Sequence, residues 1–348
     1  MKVLVTGGCG FMGSHFIKQI IDKHEVVCVD KMTYAGNIKN LEGHMDKLKH
    51  FYPFNIATLT PDFFDLGKFD VVANFAAETH VDRSIRDPKA FLETDVMGLF
   101  NLVYHSMKAG IKKFVHISTD EVYGPIPCDS AQYMKLISGE FIDQADETFP
   151  LNPTSPYSAS KASGDLLLQA YRKTYNFPVV IVRPCNNYGP NQYPEKLIPM
   201  AITRLLQDKK VILHGEGKEV REWIYVEDCV KAIEAIMDYG KIGEIYNLGS
   251  GDRKTNRNVV QKIIIEMELG YWGNSVEEVS NRPGNDQRYA INSSKLVDFM
   301  GWDSDYFYIN DFEEGLEKTI KWYKDNEGWW NNVSLDDNVY KDNEEYLR

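Results

Sequence analysis

Residues 3–21, VLVTGGCGFMGSHFIKQII, decide how the rest of the chain is read. An apolar run of strand length enters a turn holding Gly7, Gly10 and Gly13, and a helical pattern leaves it. Glycines so placed permit a tight turn, let backbone approach a pyrophosphate and allow the helix to pack on the strand, its N-terminus toward the phosphates. The spacing is G-x-x-G-x-x-G rather than G-x-G-x-x-G, and a purely structural turn is the competing reading. Asp30 then closes a second apolar run, EVVCVD, where a carboxylate accepts hydrogen bonds from an adenosine ribose and repels a ribose phosphate. The pattern predicts NAD in preference to NADP, with Lys31 the neighbouring cation.

Working outward, FDVVANFAA, KKFVHIST and FPVVIVRP continue the pattern of continuous apolar strands separated by helices. That arrangement predicts an α/β fold: a Rossmann doubly wound parallel sheet covered on both faces. Past residue 183, Gly, Pro and aromatic residues punctuate the chain, as in NNYGPNQYPEKLIP and NRPGNDQRY. The expected division is a dinucleotide domain over 1–183, with about 221–248 returning to it, and a smaller α/β substrate-binding lobe over 184–330. Residues 331–348 read as a polar, acidic tail, with Tyr340 and Tyr346 as docking groups.

Charge and composition narrow the function. Among 348 residues, 39 Lys and Arg face 51 Asp and Glu, a formal charge of −12, which argues against nucleic acid or an anionic membrane as partner. The apolar runs are strand-sized, so no bilayer span is expected, and Met1–Asp30 lacks a signal-peptide layout. The 5 Cys have no paired spacing, consistent with reduced thiols in the cytoplasm, and the 8 His show no metal-ligand spacing, so no metal is expected. Cys9 and Cys185 are read as packing residues.

Two further stretches carry chemistry. HISTDEVYG (116–124) is a buried strand ending in Thr119, Asp120 and Glu121. A turn or helix cap would explain one acidic residue there. Adjacent strand residues point to opposite faces, so the chain must bend at Asp120 if both carboxylates are to reach one ligand. His116 reads as a satisfied core histidine. PTSPYSASKASGDLLLQAYRKTY (153–175) begins with Ser155 as N-cap and Pro156 at the first helical position, which puts Tyr157 and Lys161 one turn apart on one side of a helix. A Lys ammonium beside a phenol lowers its pKa and makes it a base for a sugar or alcohol hydroxyl, and a solvated Tyr–Lys pair is the alternative. Lys196, Arg221 and Arg282 have the chemistry to hold a diphosphate.

With TGGCGFMG, AAETHVDRS, HISTDEVYG, YSASK, RPCNNYGP and RPGNDQRYA together, the chain over about residues 1–325 resembles the extended short-chain dehydrogenases/reductases that modify nucleotide sugars. TYAGN, HVDRSI and REWIYVEDC make it most similar to the dTDP-glucose 4,6-dehydratase family. The resemblance implies NAD binding by Gly7, Gly10, Phe11, Met12, Gly13, Asp30, Lys31, Thr33, Ala76 and Ser118, with Tyr157, Lys161 and Asn187 toward the nicotinamide. It implies nucleotide-sugar contacts from Thr79, Asn187, Lys196, Leu197, His214, Arg221 and Arg282, and a catalytic set of Thr119, Asp120 as acid, Glu121 as base, Tyr157 and Lys161. C4 oxidation, loss of water across C5 and C6, and hydride return to C6 would follow. A C4 epimerase would not need the Asp120–Glu121 doublet, and a non-catalytic NAD-binding module would be expected to lack Thr119, Tyr157 or Lys161. Ile212, His214 and Asn285 depart from many bacterial dTDP-glucose enzymes and resemble the UDP-glucose 4,6-dehydratases of plants, so the base stays open. A homodimer is expected through two apolar stripes, Phe91, Val96, Leu99, Leu102 and Val103 on one helix and Leu166, Leu167, Leu168 and Tyr171 on another.

Overall fold

The computed structural model describes residues 1–126, 143–300 and 310–331. The expected tail therefore falls almost wholly outside the described residues, with Tyr340, Tyr346 and Cys128. The strands are β1 (Lys2–Thr6), β2 (Glu25–Val29), β3 (His50–Tyr52), β4 (Val71–Asn74), β5 (Lys113–Ile117), β6 (Val179–Pro184), β7 (Asn186–Tyr188), β8 (Val211–His214), β9 (Val220–Tyr225), β10 (Ile245–Leu248), β11 (Arg253–Thr255) and β12 (Val276–Val279).

Seven of them form one parallel sheet in the order β10-β6-β5-β4-β1-β2-β3. The five apolar runs read from the sequence are β1, β2, β4, β5 and β6; β3 and β10 complete the edges. Burial on both faces explains why these strands carry little alternation. On one face Phe16, Ile17 and Ile20 of helix Phe11–Ile20 pack with Ile233, Ile236 and Met237 of helix Val226–Tyr239. On the other, Leu99, Leu102 and Val103 of helix Leu99–Lys108 pack with Leu168 of helix Pro156–Tyr175. The strand order reverses between β1 and β4, and in such a sheet the crevice for a ligand opens beyond the strand ends at that reversal.

The rest of the chain builds a smaller unit from β11-β9-β7 and β12-β8, with its own core of Ile198, Ile202, Trp223, Ile263, Leu316 and Tyr323. Because β9 pairs with β7 and β11, the chain rejoins the large sheet's layers at helix Val226–Tyr239, a few residues after the point expected from sequence.

Two expectations need correction. Phe91, Leu99, Leu102, Val103 and Leu168 are all nearly inaccessible, so most of the anticipated dimer stripes are the helices' core faces. The large apolar and aromatic residues those helices and their flanks do expose are Leu92, Met97, Phe100, Tyr104, Leu166 and Tyr175. His116 is only half satisfied: Thr6 Oγ1 donates to Asn74 Oδ1 at 2.6 Å, so the Asn74 amide donates to His116 Nδ1 at 3.1 Å, while His116 Nε2 has no hydrogen-bond partner among the described residues, with Asp165 Oδ1 4.0 Å away.

Beneath the crevice lies a buried ionic network. Arg183 on β6 donates to Asp165 at 2.8 Å and to the Tyr123 hydroxyl at 2.7 Å, and Tyr123 donates to Asn247 on β10 at 2.7 Å. Removing one partner of such a pair strands the other charge away from water. Asp165→Ala is expected to cost roughly 3–5 kcal/mol, read as a lowered urea midpoint with an unchanged slope.

Candidate active site

The glycine turn is shaped by contact. Gly7 has φ +70° and lies so close to the chain after β4 that a Cβ would sit 2.6 Å from Ala76 N; a Cβ on Gly13 would sit 2.2 Å from Gly7 O. Helix Phe11–Ile20 starts at Gly10 with no side-chain cap, leaving its first N–H groups directed at the crevice. Asp30 fixes the turn from the β2 side: its carboxylate accepts from Cys9 N at 2.9 Å and Met32 N at 2.7 Å.

The chain from Thr119 to Glu121 bends at Asp120, as bringing both carboxylates to one ligand requires. β5 stops at Ile117, Thr119 is still extended at φ −156° and ψ 155°, and Asp120–Tyr123 form one 3-10 turn capped by the Thr119 hydroxyl, which accepts from Glu121 N. Both carboxylates thereby leave the strand alternation and reach the same cavity. Helix Pro156–Tyr175 opens with Pro156 and a reciprocal Ser155–Ser158 capping box. Lys161 Nζ donates to Ile117 O at 2.7 Å, tying this helix to the end of β5.

A cavity of about 260 Å³ is lined by the glycine turn, Asp30, Thr119, Asp120, Glu121, Tyr157 and Lys161; a second, of about 170 Å³, lies between the smaller lobe and His80–Asp82 and Glu121. Glu121, Asn186, Asn187, Gln192, Glu195 and Lys196 line both, so they form one bent cleft. Every residue expected to contact cofactor lines the first part, as does Thr79. Asn187, Lys196, Leu197, His214, Arg221 and Arg282 line the second. Buried polar atoms without partners among the described residues cluster here: Ser118 Oγ, Asp120 Oδ2, Asn186 Oδ1, Asn187 Oδ1 and Trp223 Nε1. Burying a polar atom unpaired is costly, and these are the groups a dinucleotide and a sugar nucleotide would satisfy. The close backbone approach at Gly7 and Gly13 fits a dinucleotide equally well.

Electrostatics separate the acidic groups. Burial raises Asp120 well above the usual carboxylate range, reinforced by Glu121 and Glu222. Burial also raises Glu121, but Arg221, Lys196 and Arg282 oppose it. For Tyr157 the expected lowering is reversed: burial holds the phenol well above 10, Glu121 and Asp95 add to this, and a hydrogen-bonding contact with Thr119 pulls the other way. Lys161 is itself lowered by burial, against the carboxylates Asp95 and Asp165.

Several residues escaped the sequence reading. Asp95 sits in a π-helical turn, Leu92–Gly98, accepting from Ser160 Oγ at 2.7 Å and Glu78 N at 2.9 Å; burial raises its carboxyl to about 6, with Lys161 the main opposing charge. Asp82 binds Arg282 at 2.7 Å. Glu195 accepts from Tyr34 and Arg83 at 2.9 and 3.1 Å, closing the second lobe onto the TYAGN loop. Asp82 stood in HVDRSI and Asn186 in the NNYG doublet, so composition of those motifs offered a signal. Asp95 and Glu195 are brought in by folding alone.

The model of the NAD dependent epimerase/dehydratase family matches residues 3–249. The chain belongs to this family. It is 40% identical to a dTDP-glucose 4,6-dehydratase of Escherichia coli over 96% of this chain and 95% of that one. It is 42% identical to the low-salt glycan biosynthesis protein Agl12 of Haloferax volcanii, over 93% and 98% of the two chains. The crystal structure of the dTDP-glucose 4,6-dehydratase DesIV from Streptomyces venezuelae, with NAD bound, superposes with a TM-score of 0.86 at 38% identity, covering 96% of this chain and all of that one. This family member has no described helix long and apolar enough to cross a membrane.

Two buried histidines give the fold a pH signature. Burial lowers both His15, whose Nε2 meets Pro190 O at 2.9 Å, and His80, beside Asp82 and Glu195, to about 4. The unfolded chain protonates these rings below about 6.5 and the folded chain only near 4, so their contribution is lost as pH falls through that window. The loss is on the order of 3 kcal/mol per ring. The melting temperature is expected to drop between those pH values, and His15→Gln, which keeps a donor toward Pro190, is expected to drop less.

Proposed function

We propose that this family member is an NAD-dependent hydro-lyase that converts dTDP-glucose to its 4-keto-6-deoxy derivative. The observation that carries the reading is the bend at Asp120, which brings two carboxyl groups of unequal proton affinity to the cavity that also holds Thr119 and Tyr157. The dehydratase relatives at about 40% identity over nearly the whole chain support it.

When bound, NAD supplies a hydride acceptor for C4, a donor back to C6 and, while oxidised, a positive charge. The protein supplies the proton transfers. Tyr157 takes the C4 hydroxyl proton, Thr119 hydrogen-bonds the same oxygen, and Lys161, fixed on Ile117 O, holds its charge at the phenol's helix. A ketone at C4 acidifies the C5 proton. Glu121, near three cations, removes it, while Asp120, kept protonated by burial, protonates the departing C6 hydroxyl. Each step is worth roughly 10²–10⁴ in rate. Arg221, Arg282 and Lys196 hold the diphosphate, Arg282 exchanging its contact with Asp82 for it. A C4 epimerase would leave the doublet without a task. UDP-glucose is the second reading, favoured by His214 and Ile212 in the second cavity; thymine and uracil differ by one methyl, worth ~1–3 kcal/mol. The unpaired, buried Cys9, Cys28, Cys185 and Cys229 support a reducing compartment, the cytoplasm.

Turnover of dTDP-, UDP-, CDP- and GDP-glucose with the purified holoprotein, products identified by mass, tests the assignment: water loss without accumulating NADH is expected. Glu121→Gln and Asp120→Asn should oxidise C4 and then stall, leaving a 4-keto-glucose nucleotide in rapid-quench samples. Full dehydration by both variants would overturn the assigned roles.

We infer a homodimer whose contact uses the exposed residues Leu92, Met97, Phe100, Tyr104 and Leu166 from the two neighbouring helical segments. Light scattering is expected to give twice the 40.0 kDa chain mass, with Met97→Glu plus Leu166→Glu giving monomer.

A further inference from the structure

The dehydratase reading, on which this inference rests, leaves one requirement unmet when protons are counted through a cycle. Tyr157 accepts the C4 hydroxyl proton. Glu121 takes the C5 proton and gives it back to C5. Asp120 gives its proton to the leaving hydroxyl, which departs as water, and the hydride removed from C4 ends on C6. Substrate and products balance, but C4 leaves as a ketone, so Tyr157 never returns its proton. Each turnover ends with Tyr157 one proton richer and Asp120 one proton poorer, and the next cannot start until a proton passes from phenol to carboxylate.

We propose that the Thr119 hydroxyl carries this proton, a single-residue relay that resets Asp120 from Tyr157 after every turnover. Thr119 Oγ1 donates to Asp120 Oδ1 at 3.3 Å and accepts from Glu121 N at 3.3 Å. A hydroxyl has one donor and two acceptor sites, which leaves one acceptor site of Thr119 for the Tyr157 phenol, a neighbour lining the same cavity. As Thr119 takes the phenol's proton it passes its own to Asp120 and ends chemically unchanged. The Glu121 amide holds the hydroxyl oxygen between donor and acceptor throughout.

Other routes to Asp120 are poor. Asp120 is 3% exposed and Tyr157 8%, so neither exchanges readily with bulk water. Behind Asp120 stand Cys185 and Glu222. Burial keeps the Cys185 thiol protonated and a poor acid. Glu222 is already engaged away from Asp120, accepting from Arg253 Nε at 2.9 Å and from Gly251 N at 2.8 Å.

The test compares first and later turnovers of the NAD-loaded enzyme with dTDP-glucose. Thr119→Val loses the hydrogen bond to the C4 oxygen and slows every turnover, but turnovers after the first are expected to be slower than the first by roughly a further ten-fold or more and to be accelerated by rising imidazole buffer; Thr119→Ser should restore uniform, buffer-independent turnover. Equal slowing of first and later turnovers, with no buffer response, overturns the relay. Wild-type enzyme gives a second readout that does not depend on the variant: in weak buffer with an indicator dye, an internal reset produces no transient proton release. A release of one proton per site followed by re-uptake overturns it. Failure of the underlying reading is separate, because wild-type enzyme would then form no dehydrated product from any nucleotide-glucose.

Discussion

The hydrogen bond from Lys161 to the Ile117 carbonyl holds the site together. It joins the helix that carries Tyr157 to the last residue of the strand that delivers Thr119, Asp120 and Glu121. The ammonium is buried, so the bond forms in surroundings where an unmet donor would be costly. Asp95 and Asp165 supply the compensating negative charge. Asp95 comes from a π-helical turn, a local widening of the helix that is often found where a functional side chain must be re-aimed. Helix, strand end and π-turn are thus fixed relative to one another by one buried cation.

The same burial sets the chemistry. Removing Asp120 from water raises its proton affinity and makes it an acid at neutral pH, whereas Glu121, one residue on, faces Arg221, Lys196 and Arg282 across the lobe boundary. The two proposed roles rest on the turn at Asp120, which sends successive side chains into different surroundings of one cavity. Burial acts on Tyr157 in the opposite sense to its task, raising the phenol. In the proposed mechanism, Lys161 and the oxidised cofactor, when bound, would supply the offsetting positive charge and so couple proton removal by Tyr157 to the redox state of the site.

Stability and function share parts. The Arg183–Asp165–Tyr123–Asn247 network links β6, the catalytic helix, the 3-10 turn and β10. The turn that bends the catalytic stretch is therefore anchored by Tyr123 from below, and Gly124, with φ +71° and no room for a Cβ beside Asn152 O, lets the chain leave it.

By itself the sequence determined the local and periodic features: strands β1, β2, β4, β5 and β6 from continuous apolar runs, the glycine turn, the capped helix from Ser155 and Pro156, and the acidic doublet after β5. These rest on backbone preferences and on a hydrophobic pattern that any parallel sheet buried on both faces must show. Only the tertiary structure decided which apolar helix residues face the core, because Leu102 and Leu168 differ from Met97 and Leu166 in what packs on them, not in kind. It likewise decided that β9 serves the smaller lobe, that Asp95, Asp82 and Glu195 meet the site from distant positions, and that Tyr157 is raised rather than lowered. Proton affinity and burial depend on all the charges and surfaces that surround a group, and residues far apart in the chain supply most of them.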